Sequence, residues 1–104
     1  MLKLIYFVPD EYLDSTKQAI FAAGAGRIGD YEHCVWQVKG IGQFRPMQGA
    51  DPHIGQVGQI EQVEEWRVES IVPEEKAAAV ARALKNSHPY EEPAFEFIQL
   101  LNIQ

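Results

Sequence analysis

The chain predicts an α+β fold of ferredoxin-like order, β-α-β-β-α-β: one four-stranded antiparallel sheet with two helices on one of its faces. Two observations carry this. Four segments show strand alternation or buried-strand composition, and two segments repeat at helical spacing. A third is the placing of glycine and proline, which fall between these segments.

Leu2 to Val8 reads as the first strand, with Leu2, Leu4, Tyr6 and Val8 on one face and Ile5 and Phe7 on the other. Asp10 is placed to cap a helix running to about Ala23, with Leu13, Ile20 and Phe21 facing inward and Ala19, Ala22 and Ala23 allowing close packing. Gly24 stops it. Tyr31 to Lys39 reads as the second strand. Alternation puts Cys34, Trp36 and Val38 on one side and Tyr31, His33, Val35, Gln37 and Lys39 on the other. His33 and Cys34 on a regular strand cannot share a metal ion. The stretch from Gly40 to Gly58 is punctuated by glycine and proline and reads as a long loop or an irregular two-stranded extension.

Ile60 to Val72 is the third strand, with a break expected near Glu64. Trp66, Val68 and Val72 form its apolar face, while Glu65, Arg67, Glu69 and Ile71 form the other. Pro73-Glu74-Glu75 opens the second helix, with proline first and acids at its positive end. Ala77, Val80, Ala81 and Leu84 line its inner face, and Lys85-Asn86 mark its end. The fourth strand runs from Ala94 to about Leu101. Ile5, Phe7, Ile98 and Leu100 make the sheet's second face apolar too. An open apolar sheet face implies a partner, here another copy of the chain.

At 104 residues the chain is sized for one domain. A net charge of −6 with no run of Lys or Arg argues against duplex nucleic acid as a partner. Cys34 is the lone cysteine, so no internal disulfide forms and a reducing, cytoplasmic setting is expected. The apolar start is strand-length and is followed by Pro9-Asp10-Glu11. It reads as neither signal peptide nor membrane span.

Two stretches carry chemistry. Gly24-Ala25-Gly26-Arg27-Ile28-Gly29 matches GxGxxG, but a helix precedes it and a strand follows, the reverse of a dinucleotide site. That reading is rejected. What remains is a tight turn needing positive φ, or a loop whose N–H groups and Arg27 receive an anion. The second stretch is His88-Pro89-Tyr90-Glu91-Glu92-Pro93. Both prolines push the preceding residue toward extended backbone, which makes a stiff corner between helix and strand. It presents an imidazole, a phenol and paired carboxylates; the plainer alternative is a rigid connection with solvated acids. His33, His53 and His88 share no metal-binding spacing, and His53 reads as surface.

Taken together, Gly24 to Tyr31, Gly40-Ile-Gly-Gln-Phe-Arg-Pro46, Pro52-His-Ile-Gly55, Glu65-Trp-Arg-Val-Glu69 and His88-Pro-Tyr-Glu-Glu-Pro93 resemble the YqfO-type domain. That domain is inserted in many members of the dinuclear-metal GTP cyclohydrolase type 2-like family. The corner and the strand after it also look like those of CutA, a trimeric protein related in architecture to the PII signalling proteins. The resemblance implies a CutA/PII-like fold over residues 1–104 and a homotrimer. The flanking metal-ligand segments of the long family members are not in this sequence, so their activity does not carry over.

The expected function is a non-catalytic binding or regulatory module. Candidate ligand contacts are Arg27, Tyr31 and His33 with His88, Tyr90 and Glu91, in a cleft between subunits. Its ligand would be a small anion, a nucleotide or a divalent metal. Two alternatives stand beside it: a structural domain that docks a partner, and a metal-dependent hydrolase with a site shared across subunits.

Overall fold

The computed structural model describes residues 1–101 and residue 103. Four strands, β1 (Leu2–Pro9), β2 (Trp36–Phe44), β3 (Glu61–Val72) and β4 (Phe95–Gln99), alternate with helices α1 (Leu13–Ala22) and α2 (Ala77–Ser87) in the predicted order. They form one sheet ordered β2-β3-β1-β4, with every neighbouring pair antiparallel. This is the expected α+β, ferredoxin-like arrangement.

The inner face follows the alternation. Leu4, Tyr6, Val8, Val68 and Val72 are fully buried, and Phe95 and Phe97 pack against them. Leu13, Ile20 and Phe21 of α1 and Val80 and Leu84 of α2 close the core from the helix side. Each such side chain contributes about 1.5–3 kcal/mol on burial. Thr16 is a polar member of this layer: its hydroxyl donates to main-chain carbonyls of Tyr12 and Leu13 and accepts from the Tyr6 phenol at 3.0 Å. Burial pushes the Tyr6 phenol up to about 12.

Several boundaries differ from expectation, each for a physical reason. Asp10 does not cap α1; its Oδ1 accepts from the Trp66 indole N–H at 2.7 Å, and the chain enters α1 through the 3-10 turn Asp10–Tyr12. Pro73 likewise precedes a 3-10 turn, Glu74–Lys76, which leads into α2. The second strand begins at Trp36, not Tyr31. In between, Ile28 bridges Tyr31, the Cys34 N–H donates to the Gly26 carbonyl, and His33 adopts φ 59°. That backbone is committed to a compact turn and joins no ladder. β2 then continues to Phe44, so the irregular connection covers 45–60; the Gly40–Gly58 stretch is part strand and part loop. β3 is unbroken at Glu64, and β4 ends at Gln99.

The stop at Gly24 is as read. With φ 120° it lets Ala25 N–H reach the Ile20 carbonyl and Gly24 N–H reach that of Phe21, the paired bonds of a Schellman ending.

The other sheet face carries no helix. Trp36 (60% exposed), Val38 and Ile98 stand open on it, while Ile5 is buried between its flanking strands. β2 and β3 run past β1: their last pair is Phe44 with Glu61, whereas β1 ends at Pro9 opposite Glu65. The resulting arm makes the molecule long, 49 Å against 25 and 24 Å. Among the described residues, no helix is long and apolar enough to cross a membrane.

Candidate functional site

The corner after α2 is built around His88. Pro89 holds His88 extended (φ −85°, ψ 139°), ending the helix there. The imidazole turns inward and is 7% exposed. Its Nδ1 accepts the Tyr90 N–H at 3.1 Å, so Nε2 carries the proton and donates to the Phe7 carbonyl at 2.6 Å. Both ring nitrogens are therefore engaged by main chain. Burial pulls the His88 pKa below its ordinary value, against the opposing pull of the Phe7 carbonyl and the Glu65 charge.

The corner then aims Tyr90 at β3. Its hydroxyl donates to Glu65 Oε2 at 2.8 Å. Burial, and next the Glu65 carboxylate, push the Tyr90 phenol well above its ordinary range, so the ring stays neutral. Glu65 itself lies across β2, and only the missing side chain of Gly42 gives it room: a Cβ there would collide with the carboxylate. Phe44 and His53 add rings beside Tyr90, with centroids 6.1 and 6.4 Å away, and Tyr12 meets His53 edge-on. The 45–60 connection folds back to this place, where the Asp51 N–H donates to Glu91 Oε1 at 3.1 Å.

These parts enclose a groove of about 680 Å³ on the open sheet face. Its floor is Phe7, Val38 and Gly40, and its rim is formed by Phe44, Tyr90 and the Pro52–Ile54 turn. Arg67 borders it with its Nε 3.2 Å from Glu69, whose carboxylate also meets Lys3 at 3.2 Å. The Lys3 hydrogen bond, with help from Arg67, holds the Glu69 carboxyl below its usual range.

The six sequence-derived candidates divide into two groups. His88, Tyr90 and Glu91 come together at the Pro9 end of β1. Arg27, Tyr31 and His33 lie at its Leu2 end, where the Gly26 N–H donates to the Ile71 carbonyl. The four residue steps from Lys3 to Phe7 alone span roughly 13 Å. His33 stacks on Phe21 with centroids 4.7 Å apart, and Arg27 and Tyr31 are exposed. The glycine-rich loop has little left for an anion, because the N–H groups of Gly24, Ala25, Gly26 and Ile28 all bond to carbonyls. Among the described residues, no group of three or more His, Cys, Asp or Glu is placed to hold a metal ion.

Sequence reading missed Glu65, Phe44 and Tyr12 as neighbours of the corner. His53 is exposed as read, yet it takes part in the ring cluster. The available signal was Gly42: a glycine inside a strand marks a close approach by another group.

No protein-family profile matches the chain. It is 50% identical over 99 residues to the GTP cyclohydrolase 1 type 2 homolog of Mycobacterium leprae, covering 95% of this chain and 26% of that protein. Among solved structures, the Bacillus cereus protein related to NIF3 superposes with a TM-score of 0.84 at 39% identity, covering 97% of this chain and 26% of that one. CutA1 from Pyrococcus horikoshii superposes with a TM-score of 0.72 at 16% identity, covering 100% and 87%. The chain thus spans about a quarter of the curated relatives it matches, and the CutA likeness is one of fold. Over nearly its whole length, the chain is a counterpart of one segment of the GTP cyclohydrolase 1 type 2 homologs, folded as CutA is.

Proposed function

We propose that this chain is a non-catalytic binding or regulatory module that works as a cytoplasmic homo-oligomer, with its ligand site at the groove. The observation that carries this is the groove itself. It is of small-molecule size, and its wall is set by a chain of bonds from Phe7 through His88 and Tyr90 to Glu65. Arg27 and Tyr31 lie at the far end of the same sheet. They join the site only as residues of a neighbouring copy, which the open face with Trp36, Val38 and Ile98 favours. Three copies is the number the sequence resemblance implies. Among the described residues no cluster of three metal-ligating side chains supports the hydrolase alternative, and the activity named for the longer relatives is not assigned to this segment.

A second reading is a domain that docks a protein partner through the arm. The exposed Ile41, Met47 and Ile60 along it favour this reading.

Native mass spectrometry of the chain purified without added metal or chelator tests both. A trimer with a stoichiometric small-molecule adduct supports the binding module. A trimer at bare polypeptide mass favours docking. A clean monomer overturns the shared site.

A further inference from the structure

We infer that the groove takes an organic cation: an ammonium or guanidinium head carried on an apolar body. This rests on the groove being a ligand site, as proposed above, and adds the class of ligand. The charged side chains bordering the groove are Glu65, Glu91 and Glu92 against Arg67 alone, and Arg67 is already drawn to Glu69. An anion would meet carboxylates in one copy and no free cation. A metal ion would lack a set of three ligands among the described residues. A neutral apolar ligand would desolvate Glu65 and return nothing for it.

A cation with an apolar tail meets none of these objections. Glu65 is the carboxylate of the groove that the corner holds through Tyr90. The Tyr90 hydroxyl holds its Oε2, while its Oε1, lying over Gly42, has no hydrogen-bond partner among the described residues. A head group placed there gains a charge-assisted hydrogen bond. The Tyr90 and Phe44 rings, 6.1 Å apart and inclined by 53°, line the same groove and supply aromatic surface for the ligand's body. Phe7, Val38 and the bare backbone of Gly40 line the groove with apolar surface for the body, and nothing lies within 4 Å of where a Gly40 Cβ would stand.

This chemistry has two sources: a free amine, or the Arg27 guanidinium of a neighbouring copy. Both are tested with phenethylammonium as probe, alongside phenethyl alcohol and phenylacetate, which share its ring but not its charge. Binding to the intact chain is read by calorimetry and by amide shifts of Gly40 and Gly42. The expected result is binding of the amine alone, weakened by salt and weakened about tenfold by Glu65→Gln, which keeps an acceptor for Tyr90 and hence the fold. Amine binding to wild type and Arg27→Ala alike identifies a free ligand. Amine binding that appears only in Arg27→Ala, together with loss of assembly, identifies the neighbour's guanidinium as the natural occupant. Phenylacetate or the alcohol binding as well as the amine overturns the cation inference and leaves the binding module standing. If no probe moves the Gly40 and Gly42 amides in either protein, both readings fall.

Discussion

Replacing His88 with alanine removes a ring that two main-chain groups depend on. The Phe7 carbonyl loses its donor and the Tyr90 N–H loses its acceptor, at a position only 7% exposed. Each backbone group left unpaired away from water costs about 1–3 kcal/mol, and the vacated space adds a cavity term. The expected loss is therefore about 3–5 kcal/mol, a large share of the roughly 5–15 kcal/mol that holds a domain of this kind together. Urea unfolding at pH 7.5 and fixed protomer concentration measures it, since the self-association proposed above would add apparent stability. The same ring sets a pH dependence. Its folded pKa lies below the ordinary 6.5, so as pH falls below 6.5 the unfolded chain takes up a proton that the folded chain resists. Wild-type stability should decline across that window, and His88→Ala should lack this component. The groups facing His88 are Glu65, whose charge opposes the shift, and His53, whose charge adds to it. A His88→Ala protein that unfolds within about 1 kcal/mol of wild type would refute the argument and return His88 to the role of a ligand contact.

Three further changes separate the roles of other residues. Gly42→Ala puts a methyl group where the Glu65 carboxylate lies; because that group is the end of a flexible side chain, stability should change by less than about 1 kcal/mol. The Tyr90 phenol, still raised by its burial, should then titrate lower than in wild type as the Glu65 contribution weakens, which ultraviolet difference spectra at alkaline pH record. Trp36→Lys on the open face should shift sedimentation to a smaller species and leave the far-ultraviolet signature of the folded subunit intact; unchanged sedimentation would remove that face from the proposed assembly. Gly26→Ala should cost more than about 2 kcal/mol in thermal unfolding, because φ 82° disfavours a side chain and its Cβ would stand 3.0 Å from the Cys34 backbone.

Element order, the inner-face residues and the Gly24 stop could be read from the sequence, because each depends on periodicity or on the backbone freedom of one residue. Asp10 was misread because a cap is a local competition. Trp66, which wins its carboxylate, lies 56 positions away and reaches it only once β1 and β3 are paired. Tyr31 to Val35 alternates like a strand, and nothing in the letters announces that His33 will turn left-handed. The corner was legible from its prolines; its contacts were not. Glu65 becomes a neighbour of Tyr90 through the register that sets it opposite Pro9 on one side and Gly40 on the other. Arg27 and His88 looked like parts of one site because sequence carries no distance, and the sheet sets them at opposite ends.

The place of β1 in the sheet bears on how the chain is made. Within this segment the earliest strand in the chain is an interior one, and its two neighbours are supplied by residues 61–72 and 95–99. Until both have emerged, β1 offers Leu4, Tyr6 and Val8 to water and bare edges to other chains. The bond from His88 to the Phe7 carbonyl joins residues 81 apart, so the corner sets only when synthesis of this segment is nearly finished. Folding of this segment thus waits on its last strand, and a nascent chain stalled before β4 presents a half-built sheet to the quality-control machinery.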